Sequence, residues 1–203
     1  MVTREIAAAK AGSKRLCIAT VIVALSACNG SDEGGAQRII EADLSTAEVF
    51  VDAFYSFDPT LLETALSSAE ASKPSILFYQ GWAEGGNYEI VDRMPCVTRD
   101  PDLISCSITV KDDLIGALGI EFNVTDTFLL TFADGRIVAV DTDSDDPPAF
   151  WSARDWVMEN RQALIEGPCQ GYFDGGPTPG DCVRAMVRGY AEFAASSDFP
   201  QSP

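Results

Sequence analysis

The stretch GIEFNVTDTFLLTFADGRIVAV, Gly119 to Val140, decides how the chain is read. Ile120, Phe122, Val124, Phe128, Leu130 and Phe132 alternate with Glu121, Asn123, Thr125, Thr127 and Thr131. That period of two predicts a strand with one face against a core. Ala133-Asp134-Gly135-Arg136 is a hairpin turn signal, and Ile137 to Val140 is the return strand. One residue breaks the apolar set. The parity of Asp126 aims it at the buried face, where desolvation raises a carboxyl pKa and suits it to act as an acid or base. The competing expectation is a bulge around Asn123–Thr127 that turns it to solvent, or an ion pair with Arg93 or Arg99.

Upstream, the strand pattern continues. Tyr88 to Arg93 forms a short strand. Met94 to Arg99 and Leu103 to Lys111 form a hairpin around Asp100-Pro101-Asp102. In this register Cys96 lies across from Cys106. Further upstream the period becomes helical. Ser45-Thr46-Ala47-Glu48 reads as a capping box before Phe50, Ala53, Phe54 and Phe57. Asp58-Pro59 opens a second helix holding Leu61, Leu62 and Leu66. A third begins near Pro74, carries Ile76, Tyr79, Gln80 and Ala83 in one line with Trp82 beside it, and stops at Gly85-Gly86-Asn87. After the sheet, the pattern predicts a helix over Phe150–Ile165 and another from Thr178-Pro179, with a Gly/Pro-rich loop between them.

This order of three helices, antiparallel strands and a closing D-G-R hairpin resembles the nuclear transport factor 2-like superfamily. That superfamily includes polyketide cyclase-like and ketosteroid isomerase-like proteins. The residues carrying the resemblance are Phe50–Phe57, Trp82 and Phe128–Val138, within about 43–142. It implies an α+β fold, a cone-shaped curved antiparallel sheet packed on N-terminal helices, with a pocket at the wide end. The segment 150–195 lies outside the common fold and reads as a C-terminal helical extension packed on the same core. The domain boundaries that follow are 37–147 for the α+β domain and 148–203 for the extension. Tyr79, Trp82, Tyr88, Phe122 and Phe128 are the expected pocket lining. Asp126 is the candidate catalytic residue, should the protein be an enzyme of hydrophobic small molecules. The family also often dimerises through its sheet.

The N-terminus has its own pattern. Arg4, Lys10, Lys14 and Arg15 precede an apolar run, Leu16 to Ala27, too short to cross a bilayer. It ends in Leu25-Ser26-Ala27-Cys28, which resembles the lipobox of bacterial lipoproteins. The resemblance makes residues 1–27 a signal peptide containing Cys17, and Cys28 the lipidated N-terminus of the mature chain. Residues 28–36 then read as a flexible tether. The domain is expected outside the cytoplasm, held by lipid to the cell or outer membrane.

Composition narrows the chemistry. The 203 residues hold 31 acids against 14 bases, with no histidine. A net charge of −17 disfavours nucleic-acid partners. Without histidine there is no Ser-His-Asp triad, Cys-His pair or histidine zinc site. Cys96, Cys106, Cys169 and Cys182 allow three disulfide connectivities. The hairpin register favours Cys96–Cys106, which leaves Cys169–Cys182. No C-x-x-C pair supports zinc. Asp141, Asp143, Asp145 and Asp146 invite a calcium reading, but Asp146 and Ser152 stand where an EF-hand loop needs glycine and glutamate. No metal or cofactor is expected. The expected function is a membrane-anchored binding module for a small apolar ligand or a protein partner, with the Asp126 enzyme and a structural envelope protein as alternatives.

Overall fold

The computed structural model describes residues 33–170 and 179–199. Cys17, Cys28 and the signal-peptide pattern lie outside the described residues. The fold is α+β. Helices α1 (Glu33–Tyr55), α2 (Pro59–Ala65) and α3 (Lys73–Gly85) precede strands β1 (Glu89–Arg93), β2 (Val97–Asp100) and β3 (Leu103–Lys111). A short helix α4 (Asp113–Ala117), strands β4 (Val124–Ala133) and β5 (Arg136–Ser144), and helices α5 (Pro148–Asn160), α6 (Gln162–Ile165) and α7 (Pro179–Ala194) complete it.

The five strands form one antiparallel sheet in the order β1-β3-β4-β5, with β2 also on β3. β2 pairs with the first part of β3 and β1 with the last part, so the two share one edge in succession. Asp134 and Gly135 both have positive φ, 51° and 71°, as a tight turn between twisted strands requires. Side chains alternate as the sequence implies: Val124, Asp126, Phe128, Leu130 and Phe132 of β4 are buried. Against them lies α1, whose Phe50 and Phe54 rings stand 5.4 and 4.8 Å from Phe128. Each buried phenylalanine contributes about 1.5–3 kcal/mol of transfer free energy.

A second apolar cluster joins α3, α4, α5 and α7 through Trp82, Leu114, Val157, Val183, Met186 and Tyr190. The C-terminal helices therefore pack on α3 and α4. The helix contacts need small residues. A Cβ on Gly85 would stand 2.4 Å from the Gly180 Cα, and one on Gly189 would stand 2.5 Å from a Val157 methyl.

Both disulfides have the expected connectivity, Cys96–Cys106 with Cα atoms 4.3 Å apart and Cys169–Cys182 at 4.4 Å. Val97 pairs with Ser105, so Cys96 does face Cys106. Glu48 reinforces this corner. Its Oε1 accepts the Cys96 amide at 2.6 Å and its Oε2 meets Arg93 at 2.7 Å, while Arg93 also reaches Asp52 at 2.5 Å.

Several boundaries differ from the sequence expectation. Helix α1 starts at Glu33, so part of the 28–36 tether is helical and Ser45 lies inside a helix. The capping box does not form; the Thr46 hydroxyl donates to the Ala42 carbonyl, and Glu48 serves the sheet edge instead. Gly119–Asn123 is not strand. Asp112 caps α4 by accepting the Ile115 amide at 2.9 Å, and β4 begins only at Val124. β5 runs past Val140 to Ser144, because Asp141, Thr142, Asp143 and Ser144 pair with Leu129, Phe128, Thr127 and Asp126. The Phe150–Ile165 helix begins earlier, at Pro148, and breaks at Arg161, whose φ of −133° is not helical.

Gly85→Ala should lower the unfolding free energy by about 1–3 kcal/mol in urea titration, because the Gly180 backbone cannot yield to the new methyl. Gly116→Ala, with nothing within 4 Å of its Cβ, should leave it unchanged or raise it by about 0.4–1 kcal/mol.

Candidate functional site

Asp126 sits in mid-strand, between Ile108 on β3 and Ser144 on β5. It is 1 % exposed. The β3–β4 register runs unbroken from Leu103–Thr131 to Val110–Val124, so no bulge turns the side chain outward. Arg93 is held by Glu48 and Asp52. The Tyr55 hydroxyl, at the last residue of α1, donates to Asp126 Oδ2 at 3.1 Å. Oδ1 is buried with no partner at hydrogen-bond geometry.

Three further elements converge here. α3 brings Tyr79, whose hydroxyl favours the carboxylate form of Asp126. Tyr88 precedes β1, and its ring stands 6.5 Å from that of Tyr79 at 89°. The end of α1 is fixed by Gln80, whose buried amide donates to the Ala53 and Phe54 carbonyls at 3.0 and 2.9 Å. The same carbonyls also accept from the Ser56 hydroxyl, at 2.7 Å to Ala53, and from the Phe57 amide, at 3.3 Å to Phe54.

Burial pushes the Asp126 pKa up to about 7; the Tyr79 and Tyr55 hydroxyls oppose this, and Asp146 and Asp112 add like-charge repulsion. Burial likewise lifts Asp112 to about 6 against its amide hydrogen bonds, and it raises Asp146. Tyr79 and Tyr88 are raised well above the ordinary phenol range, first by burial and then by their neighbours. They stay neutral donors.

Beside this cluster opens a cleft of about 350 Å³. Tyr79, Trp82 and Tyr88 form one wall together with Phe78. The end of β5 supplies Thr142, Asp143 and Ser144, followed by Asp146. α5 supplies Phe150, Trp151 and Arg154. Asp126 is one side chain behind the wall: its neighbours Tyr79 and Ser144 line the cleft, while it does not.

Of the five aromatic residues expected to line a pocket, the structure brings together Tyr79, Trp82 and Tyr88. Phe128 is fully buried against Phe50 and Phe54, beneath the site. Phe122 is 37 % exposed and lies with Lys111, Asp112 and Ile120 on another surface. Sequence reasoning missed Tyr55, Phe150, Trp151 and Arg154. Tyr55 is outside the helical set of Phe50, Ala53, Phe54 and Phe57, although it follows Val51 by one turn and packs against the core. The α5 residues follow the acidic run, and nothing local ties them to Tyr79. Asp146 was visible, but as part of a calcium motif that fails. Among the described residues no three Cys, Asp or Glu side chains are grouped to hold a metal ion.

Compared with protein-family models, with curated proteins and with solved structures, the chain matches none.

The carboxyl has a consequence for stability. Folded Asp126 keeps its proton to about pH 7, while the unfolded side chain releases it near 3.8. Native stability contributed by this group is therefore full below 3.8 and is lost as pH rises through about 7. Relative to Asp126→Asn, the wild type should lose about 1.4 kcal/mol per pH unit across that window. Paired urea titrations at pH 4.5, 5.5 and 6.5 measure it; a constant difference would show that Asp126 is ionised throughout.

Proposed function

We propose that the protein is a membrane-tethered lipoprotein whose α+β body is a binding module for a small, largely apolar molecule. The observation that carries the binding role is the cleft walled by Tyr79, Trp82, Tyr88, Phe150 and Trp151. Its volume lies within the range of small-molecule sites, and its lining of six aromatic and five polar side chains combines apolar surface with polar groups as such sites do. We assign the body to the nuclear transport factor 2-like cone. Support comes from the order of three helices, strands and D-G-R hairpin, and from α1 lying on the sheet's apolar face. Support for the tether comes from the basic segment, the apolar run and Leu25-Ser26-Ala27-Cys28. Two acyl chains anchor stably where one does not, and an acidic body gains nothing from anionic lipid.

A second reading is favoured by one observation, the Tyr55–Asp126 hydrogen bond beneath the cleft. A carboxyl titrating near neutrality can take or give a proton, which suits an isomerase, cyclase or hydrolase of hydrophobic molecules. Asp126 does not line the cleft, so a ligand meets Tyr79 and Tyr88 first. Binding is accordingly the primary reading, with Asp126 setting the polarity of the wall.

Native mass spectrometry of the full chain purified from its own membranes should show a small-molecule adduct that is lost on denaturation. Bare protein mass, together with no binder among hydrophobic small molecules by calorimetry, would overturn the binding role. The tether is tested separately: labelled palmitate should enter the wild-type chain and not Cys28→Ala. Equal labelling of the two would remove the lipoprotein assignment.

A further inference from the structure

We infer that the cleft takes an organic cation, a ligand presenting a substituted ammonium group to the aromatic walls. This rests on the binding role proposed above and names the ligand class of the same site.

Six aromatic side chains line the cleft: Phe78, Tyr79, Trp82, Tyr88, Phe150 and Trp151. Tyr79 and Tyr88 pack nearly perpendicular, and Phe150 and Trp151 of α5 do the same, with centroids 5.1 Å apart at 82°. Several aromatic side chains with acids beside them in one cleft is the composition that aromatic cages use to hold alkylated ammonium groups. The chain already uses one of these rings for a cation. The Arg154 guanidinium carbon lies 5.7 Å from the centroid of the Trp151 ring, at the cleft wall. Trp151 is nevertheless 47 % exposed, a large apolar surface for a side chain of a cleft rim.

The charge around the rings points the same way. Asp143 and Asp146 line the cleft, and Asp126 lies directly behind Tyr79. Against these acids the cleft lining holds one base among the described residues, Arg154. An anionic ligand could meet Arg154 only by approaching Asp143 and Asp146 as well. A neutral ligand would leave the carboxylates as they are. A cation satisfies both the aromatic lining and the two carboxyls that line the cleft, Asp143 and Asp146.

The test uses choline and its neutral tert-butyl isostere, which share shape and differ in charge, in calorimetric titrations of the full chain with its disulfides formed. Choline should bind at least about tenfold more tightly than the isostere. Asp146→Asn should remove most of that advantage while leaving isostere affinity unchanged. Trp151→Leu, a change at an exposed position that the fold tolerates, should weaken choline severalfold and serves if the first variant folds poorly. Equal affinity for the two probes, or preference for the isostere, would overturn the cation inference and leave the small-molecule role standing. Failure of both probes to bind would overturn the inference, and the adduct measurement on the native protein then decides the broader role independently.

Discussion

A carboxyl group in mid-strand on the apolar face of the sheet is the constraint around which the site is arranged. Placing an ionised carboxylate there without partners would cost several kcal/mol. The chain meets this cost in two ways. The Tyr55 hydroxyl donates to Oδ2, and the group keeps its proton up to about pH 7. The first of these depends on where α1 stops. Tyr55 is the last residue of that helix, and the Gln80 amide holds the final carbonyls of Ala53 and Phe54. Gln80 lies one residue after Tyr79 on α3. The residue that fixes α1 thus sits beside the one whose hydroxyl approaches Asp126. Helix termination, helix packing and the buried carboxyl form one connected unit.

The opposite end of α1's sheet contact is pinned by a different set of interactions. β1 and β2 split one edge of β3 between them, and a split edge has less pairing to hold each piece. The Cys96–Cys106 bridge ties the start of β2 to β3. Glu48 then fastens the Met94–Cys96 link to α1 through the Cys96 amide and Arg93. Arg93 is partly exposed, so its ion pairs contribute little alone. Their effect is positional: they keep Arg93 engaged at the edge and away from Asp126. The carboxyl is therefore left to titrate with tyrosines and other acids for neighbours.

What could be read in the sequence follows from how local each signal is. The inward parity of Asp126, the Asp134-Gly135 turn and the Cys96–Cys106 register all depend on a period of two and a short loop, and each is as expected. The bounds of α1, α4 and β5 were not legible. Ser45 and Glu48 carry a capping pattern, yet Glu48 finds partners 45 and 48 residues away that the pattern cannot show. Asp141–Ser144 look like a solvated turn until β4 supplies pairing for their backbones. The cleft was half legible. Tyr79, Trp82 and Tyr88 are near one another in sequence. Phe150, Trp151 and Arg154 join them only because α5 packs on α7, which in turn packs on α3. Phe122, placed with them by strand alternation, leaves the group because Gly119, with φ +67°, ends α4 and starts a loop there.

The position of the tyrosines relative to the cleft decides between holding a ligand and transforming one. A general base must come within hydrogen-bond reach of the proton it removes, or act through one intermediary. Asp126 meets the cleft only through Tyr79 and across the ladder from Ser144. Both Tyr79 and Tyr88 have pKa values raised by burial and by the acids behind them, so neither yields its proton at neutral pH. A relay through them would have to form a phenolate beside Asp126, Asp112 and Asp146, in the least favourable surroundings for negative charge. Electrostatics therefore weighs against proton abstraction through the tyrosines, and the carboxyls that line the cleft itself, Asp143 and Asp146, are the ones that would favour a positive group.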